Sequence, residues 1–181
     1  MNRLLLVLTA ALAAAPAAAS VTVARTDLQL SIQSRKGRPV FHSLESLLLP
    51  PDAKPAPRLR ARLHLSNDAR HAETGVVIRF CVTARVRPVK GAGEGTWTVP
   101  FLLEEKHLPR LAAGPDVTVP LPINRVALGD YLNSLRMAGY WIDGLRFDAA
   151  VAPRRGETLD GHIGTRTIPV DWKPAPAKAA P

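Results

Sequence analysis

The chain has 181 residues, 24 Lys+Arg against 15 Asp+Glu, a formal charge of +9 and one cysteine. That length suits one ordinary domain rather than two, and a hydrophobic share of 46% excludes a wholly disordered chain. A lone cysteine excludes an intrachain disulfide framework and a cysteine-based zinc site, and no apolar run after residue 20 is long enough to span a bilayer.

The chain opens with a leader pattern. Arg3 supplies a positive start, Leu4–Ala15 is an apolar run, and Pro16 breaks it. Ala17, Ala18 and Ala19 then offer the small side chains that a signal peptidase reads, so residues 1–19 are expected to be a secretory signal peptide cleaved after Ala19. No cysteine stands at that point to carry a lipid. The expected location is therefore periplasmic or secreted.

From residue 20 onward, period two dominates. Leu28, Leu30 and Ile32 alternate with polar neighbours and predict the first strand. Ser43–Leu49 departs from this: Leu44, Leu47 and Leu48 have the spacing of one or two helical turns. Pro50 and Pro51 end them, and residues 54–57 read as an extended connector.

The second strand carries Leu59, Ala61, Leu63 and Leu65 on one face and the row Arg58, Arg60, Arg62 and His64 on the other. Heads two residues apart on a strand sit roughly 7 Å apart. Their repulsion in water is then about 0.6 kcal/mol per pair, less after screening, so the row can exist without a ligand. The third strand, residues 76–87, turns Arg79, Arg85 and Arg87 outward. If the two strands neighbour each other, six arginines share one surface; if they belong to opposite sheets, the patch splits. Arginine's planar fork suits carboxylates and phosphates, so these seven residues are the candidate anion-binding set. A plain alternative exists for the charge. Arg outnumbers Lys 18 to 6 and Ala and Pro are abundant, as a compositionally biased genome would produce. Cys81 falls on the same outward face, where nearby cations would lower its pKa if exposed; a small packed residue is the plainer reading.

Gly91, Gly93 and Gly95 mark a hairpin loop and lack the Lys-Ser/Thr ending of a phosphate-binding loop. Trp97, Val99, Phe101 and Leu103 form the fourth strand, with Trp97 expected in the core. After a turn at residues 113–116, Val117, Val119, Leu121 and Ile123 form the fifth. Pro100, Pro120, Pro122 and Pro169 lack amide donors, which favours edges or bulges at those points. Leu128, Tyr131, Leu132, Leu135 and Ala138 then share one helical face, with Asp130 able to cap its start and Gly139 its end. Tyr131, Tyr140, Trp141 and Phe147 crowd around this helix, where they seal the core or line a small pocket. Leu145–Val151 and Ile168–Trp172 are the sixth and seventh strands, and Lys173–Pro181, built only of Lys, Pro and Ala, is expected to be a disordered tail.

About seven short strands with turns between them, and one short helix inserted before the sixth, predict an all-β antiparallel sandwich over residues 20–172. The architecture resembles an immunoglobulin-like or fibronectin III-like sandwich; the paired cysteines of antibody domains are missing.

No catalytic motif is present. There is no HExxH, GxSxG or SxxK. His71, His107 and His162 each lie near a carboxylate in sequence, and only their convergence would make an acid–base or metal site. No cofactor or metal is expected. The expected function is an exported, non-catalytic binding or scaffolding domain engaging an anionic envelope polymer or another exported protein. Nucleic acid is not an expected partner at that address. The alternatives are a periplasmic chaperone or assembly factor, and an enzyme with a dispersed His/carboxylate site.

Overall fold

Leucine at every second position forces a strand to bury one face, and the chain does this repeatedly. The computed structural model describes residues 21–32, 39–53, 56–90, 93–153 and 157–172. The expected leader over 1–19 and tail over 173–181 lie outside the described residues.

The elements in chain order are β1 (Val21–Ile32), β2 (Val40–Ser43), β3 (Leu47–Leu48), β4 (Leu59–Asn67), β5 (Glu73–Pro88), β6 (Thr96–Trp97), β7 (Leu102–Leu111), β8 (Gly114–Pro122), α1 (Arg125–Met137), β9 (Tyr140–Val151) and β10 (Ile163–Asp171). They form two sheets. The first has the order β2-β1-β4-β8; the second runs β3-β10-β9-β5, with β6 and β7 both paired to β5. Every pairing is antiparallel except the short parallel contact of β3 with β10. The protein is thus all-β with one helix, and the inward faces of both sheets meet in one core.

That core follows the alternation. Ala61, Leu63 and Leu65 of β4 are fully buried, as are Ile78 and Ala84 of β5 and Phe147 of β9. Phe80 stacks on Phe147 with ring centroids 5.6 Å apart. Each fully buried Leu, Ile or Phe side chain contributes about 1.5–3 kcal/mol relative to exposure. Among the described residues, no helix is long and apolar enough to cross a membrane.

Four expectations are corrected. The strands number ten among the described residues rather than about seven, because β2 and β3 are too short to show a period and the fourth expected strand is broken. The break lies at Thr98–Phe101, where Pro100 lacks the amide that would continue the ladder. Phe101 turns onto Tyr131 instead, with centroids 4.3 Å apart and planes 9° from parallel. The phase is opposite to the expected one on both sides of the break: Leu102 is buried, whereas Val99 and Leu103 are 80% and 77% exposed. Trp97, expected in the core, pairs with Arg85 of β5, shares its outward face and is 37% exposed.

Residues 43–49 are not helical. Leu47 and Leu48 pair with Val170 and Asp171, because the open edge of β10 offers backbone partners that a single helical turn cannot match. The helix begins earlier than expected and is capped by Asn124, not Asp130. The Asn124 Oδ1 accepts from the amides of Val126 at 3.0 Å and Ala127 at 3.2 Å, satisfying two of the free donors of the first turn. The end agrees with expectation: Gly139 takes φ +78°, the left-handed position that favours glycine. Leu128 and Leu132 bury the inner face of α1, and Trp141 at the start of β9 seals the core beneath it.

Candidate anion-binding site

Because Leu59, Ala61, Leu63 and Leu65 turn inward, Arg60, Arg62 and His64 turn outward on β4. The register sets Gln29 of β1 and Pro122 of β8 on either side of Arg60, and Asp27 and Pro120 on either side of Arg62. Arg58 lies just before the strand and is exposed; its carbonyl accepts from the Ser31 amide at 2.9 Å. The Arg60 Nε donates to Gln29 Oε1 at 2.7 Å, and its guanidinium lies 3.7 Å from the centre of the Phe41 ring. Partial burial, and then the neighbouring Arg62 charge, lower the Arg60 pKa from the ordinary arginine value.

His64 does not share this role. It is 5% exposed, covered from both neighbouring strands. A register shift in β1 between Val23 and Arg25 places Arg25 opposite His64. The His64 Nδ1 lies 2.6 Å from Asp116 Oδ1, and Nε2 lies 3.2 Å from both Asp27 Oδ2 and Arg25 Nη2. The Nδ1–H donates to Asp116. Nε2 donates to Asp27 when protonated and accepts from Arg25 when not. Asp27 also pairs with Arg25 at 3.1 Å. This end of the β4 face is therefore a closed, self-neutralised cluster joining β1, β4 and β8.

The opposite end is open. Beyond Arg60 the outer face of the first sheet dips into a groove of about 590 Å³. Phe41, Pro120 and Pro122 form its apolar walls, with the core residues Leu59 and Ile123 at its floor. Four cations stand around it: Arg58, Arg60, Lys106 of β7 and Arg125 at the start of α1. Lys106 Nζ donates to the Pro120 carbonyl at 2.8 Å, and Arg125 Nε donates to the Ala56 carbonyl at 2.8 Å. Those bonds fix the two heads and leave their charge uncompensated. Among the described residues, no carboxylate lies within ion-pair distance of any of the four, and none lines the groove.

Arg79, Arg85 and Arg87 belong to β5, in the other sheet, so the single six-arginine surface does not form. They also have partners of their own. Arg79 Nε is 2.7 Å from Glu105 Oε2, and that bond, joined by the nearby His107, holds the Glu105 carboxyl below its ordinary range. Arg85 Nε is 2.7 Å from Asp143 Oδ1. Trp97 lies under both Arg85 and Arg146. The Arg87 guanidinium covers Trp172 at 4.6 Å, and its Nε is buried with no hydrogen-bond partner among the described residues.

The remaining candidates stay apart. His107 is exposed on β7, 2.7 Å from Glu105. His162 is buried before β10, 3.3 Å from Glu157. His71 is exposed between β4 and β5, and Asp68 accepts from Ser66 rather than from it. Among the described residues no three His, Cys, Asp or Glu side chains gather as a metal site requires. Cys81 is half-buried and free, with Asp148 Oδ2 3.9 Å from its sulfur. Burial, and then Asp148, push the thiol pKa up, against the opposing pull of Arg146. The lowered pKa is expected only for an exposed thiol, and Cys81 is half-buried.

Sequence reasoning found two of the four groove cations, Arg58 and Arg60. Lys106 and Arg125 carried no signal: Arg125 follows β8 and arrives through the pairing of β8 with β4, and Lys106 comes from β7 of the other sheet and reaches the groove by its bond to Pro120. Phe41 likewise sits on a four-residue strand with no period to read.

No family model matches the chain, and no curated protein matches it in sequence. Among solved structures it is similar to the sporulation control protein Spo0M of Bacillus subtilis, at 7% identity and a TM-score of 0.32. The match covers 83% of this chain and 49% of that one, so the chain spans about half the length of this structural neighbour.

Proposed function

We propose that this chain is an exported, non-catalytic binding or scaffolding domain that holds an anionic component of the cell envelope in the groove beside β8. The immunoglobulin-like or fibronectin III-like architecture is part of this reading, supported by two antiparallel sheets enclosing one core. Export rests on the leader pattern of residues 1–19.

One observation carries the binding reading. Arg58, Arg60, Lys106 and Arg125 surround one concave surface without a carboxylate in range. Elsewhere, Arg25, Arg79, Arg85, Arg146 and Arg166 each pair with an acid; Arg62, Arg70, Arg87, Lys90, Arg110 and Arg136 also have no acid within ion-pair distance among the described residues, but none of them lines this groove. Solvated surface charge is ordinarily mixed in sign, and a site for an anion concentrates one sign where the low-dielectric wall strengthens it. Arginine and lysine without internal acids can give their donors to an external carboxylate or phosphate.

Retention on an anionic column tests this. The chain lacking residues 1–19 should elute from phosphocellulose at clearly lower salt when Arg58→Ser and Arg125→Ser are combined. The charge-matched pair Arg79→Ser and Arg166→Ser should elute nearer the parent. Equal losses for the two pairs would show that net charge alone governs retention and would remove the proposal.

A further inference from the structure

We infer that the groove is a site for an amphiphilic phosphate, a phosphate head joined to an apolar chain or ring; this deepens the binding reading above and rests on it. The walls decide the ligand class. Five of the nine lining residues are apolar and four are cationic, with no acid or neutral hydrogen-bonding side chain between them. Pro120 and Pro122 are exposed and have no amide to offer a sugar hydroxyl or a backbone. Phe41 is half-buried, one face occupied by the Arg60 guanidinium. A purely polar polyanion would desolvate these surfaces without compensating contacts; an apolar chain removes them from water.

The cations set the head. A carboxylate neutralises one of four charges, whereas a phosphate monoester carries nearly two negative charges near neutral pH and three acceptor oxygens. Arg58 and Arg125 are exposed at the rim, and Arg60, Lys106 and Arg125 are each held by a hydrogen bond. The volume, about 590 Å³, lies in the usual range of small-ligand sites, roughly 300–1,000 Å³. A phosphate head with a short chain fills such a groove, and a longer chain leaves along it.

Calorimetry on the chain lacking residues 1–19 tests this with octyl phosphate below its micelle concentration, inorganic phosphate and inorganic polyphosphate as probes. The expected result is saturable one-to-one binding of octyl phosphate, at least about tenfold tighter than inorganic phosphate. Arg58→Ser with Arg125→Ser should weaken both ligands. Phe41→Ala or, independently, Pro122→Ser should weaken octyl phosphate several-fold more than inorganic phosphate. Sedimentation with phosphatidic acid vesicles separates the two sources of the same chemistry: co-sedimentation lost in the double arginine variant assigns the head to a membrane lipid, and its absence beside octyl phosphate binding assigns a soluble ester. Polyphosphate binding through Arg58 and Arg125 without octyl phosphate binding would overturn the amphiphile and keep the anionic groove. No binding of any probe would overturn both.

Discussion

At Cys81 two opposing effects can be ranked. Arg146 favours the thiolate, but burial and the Asp148 carboxylate disfavour it more, so the thiol pKa is raised. The thiolate fraction near pH 8 is then below that of an unperturbed cysteine. Iodoacetamide at that pH should alkylate Cys81 several-fold more slowly in the folded chain than in the same chain in urea. A folded rate equal to or above the unfolded one would mean that the arginines dominate. The same opposition of neighbours governs how much could be read at single residues. The outward row Arg58, Arg60 and Arg62 was legible, because alternation with leucine needs no tertiary information. The burial of His64 was not, because Asp27 and Asp116 stand 37 and 52 residues away and meet it only through β1 and β8.

At the scale of elements, the two tryptophans report the strand phases. Trp141 is 1% exposed, and its Nε1 donates to the Leu49 carbonyl at 2.8 Å. Its truncation to alanine should cost about 3–5 kcal/mol, from lost burial, a cavity and an orphaned carbonyl. Trp97 sits outside, over the guanidinium groups of Arg85 and Arg146, and Trp97→Ala should cost about 1 kcal/mol or less. Urea unfolding of both variants measures the difference; equal costs would contradict the outward placement of Trp97. Elements with four or more alternating positions, such as β4, β5 and β9, were readable from periodicity. The short strands β2 and β3 were not, since they exist through their neighbours: β2 through β1, and β3 through the open edge of β10. The start of α1 was misplaced because Asp130 and Asn124 are both competent caps, and the core contacts of Leu128 decide between them.

For the whole molecule, the topology sorts the charge. β4 and β5 are consecutive, yet they lie in different sheets, so the arginines they carry face opposite sides of the body. Local sequence order contains no information about that choice, which is why the notion of one broad basic face could be stated only conditionally. The outer face of the second sheet pairs Arg79, Arg85 and Arg146 with acids; the groove at the edge of the first sheet leaves its cations uncompensated. A net charge of +9 is therefore less telling than its distribution. Two-dimensional NMR of the isotope-labelled chain lacking residues 1–19, titrated with inorganic pyrophosphate, measures that distribution directly. The largest shifts should fall on Phe41, Arg58, Lys106 and Arg125. Shifts centred on Arg79–Arg87, or spread evenly over every exposed arginine, would contradict a dedicated anion site.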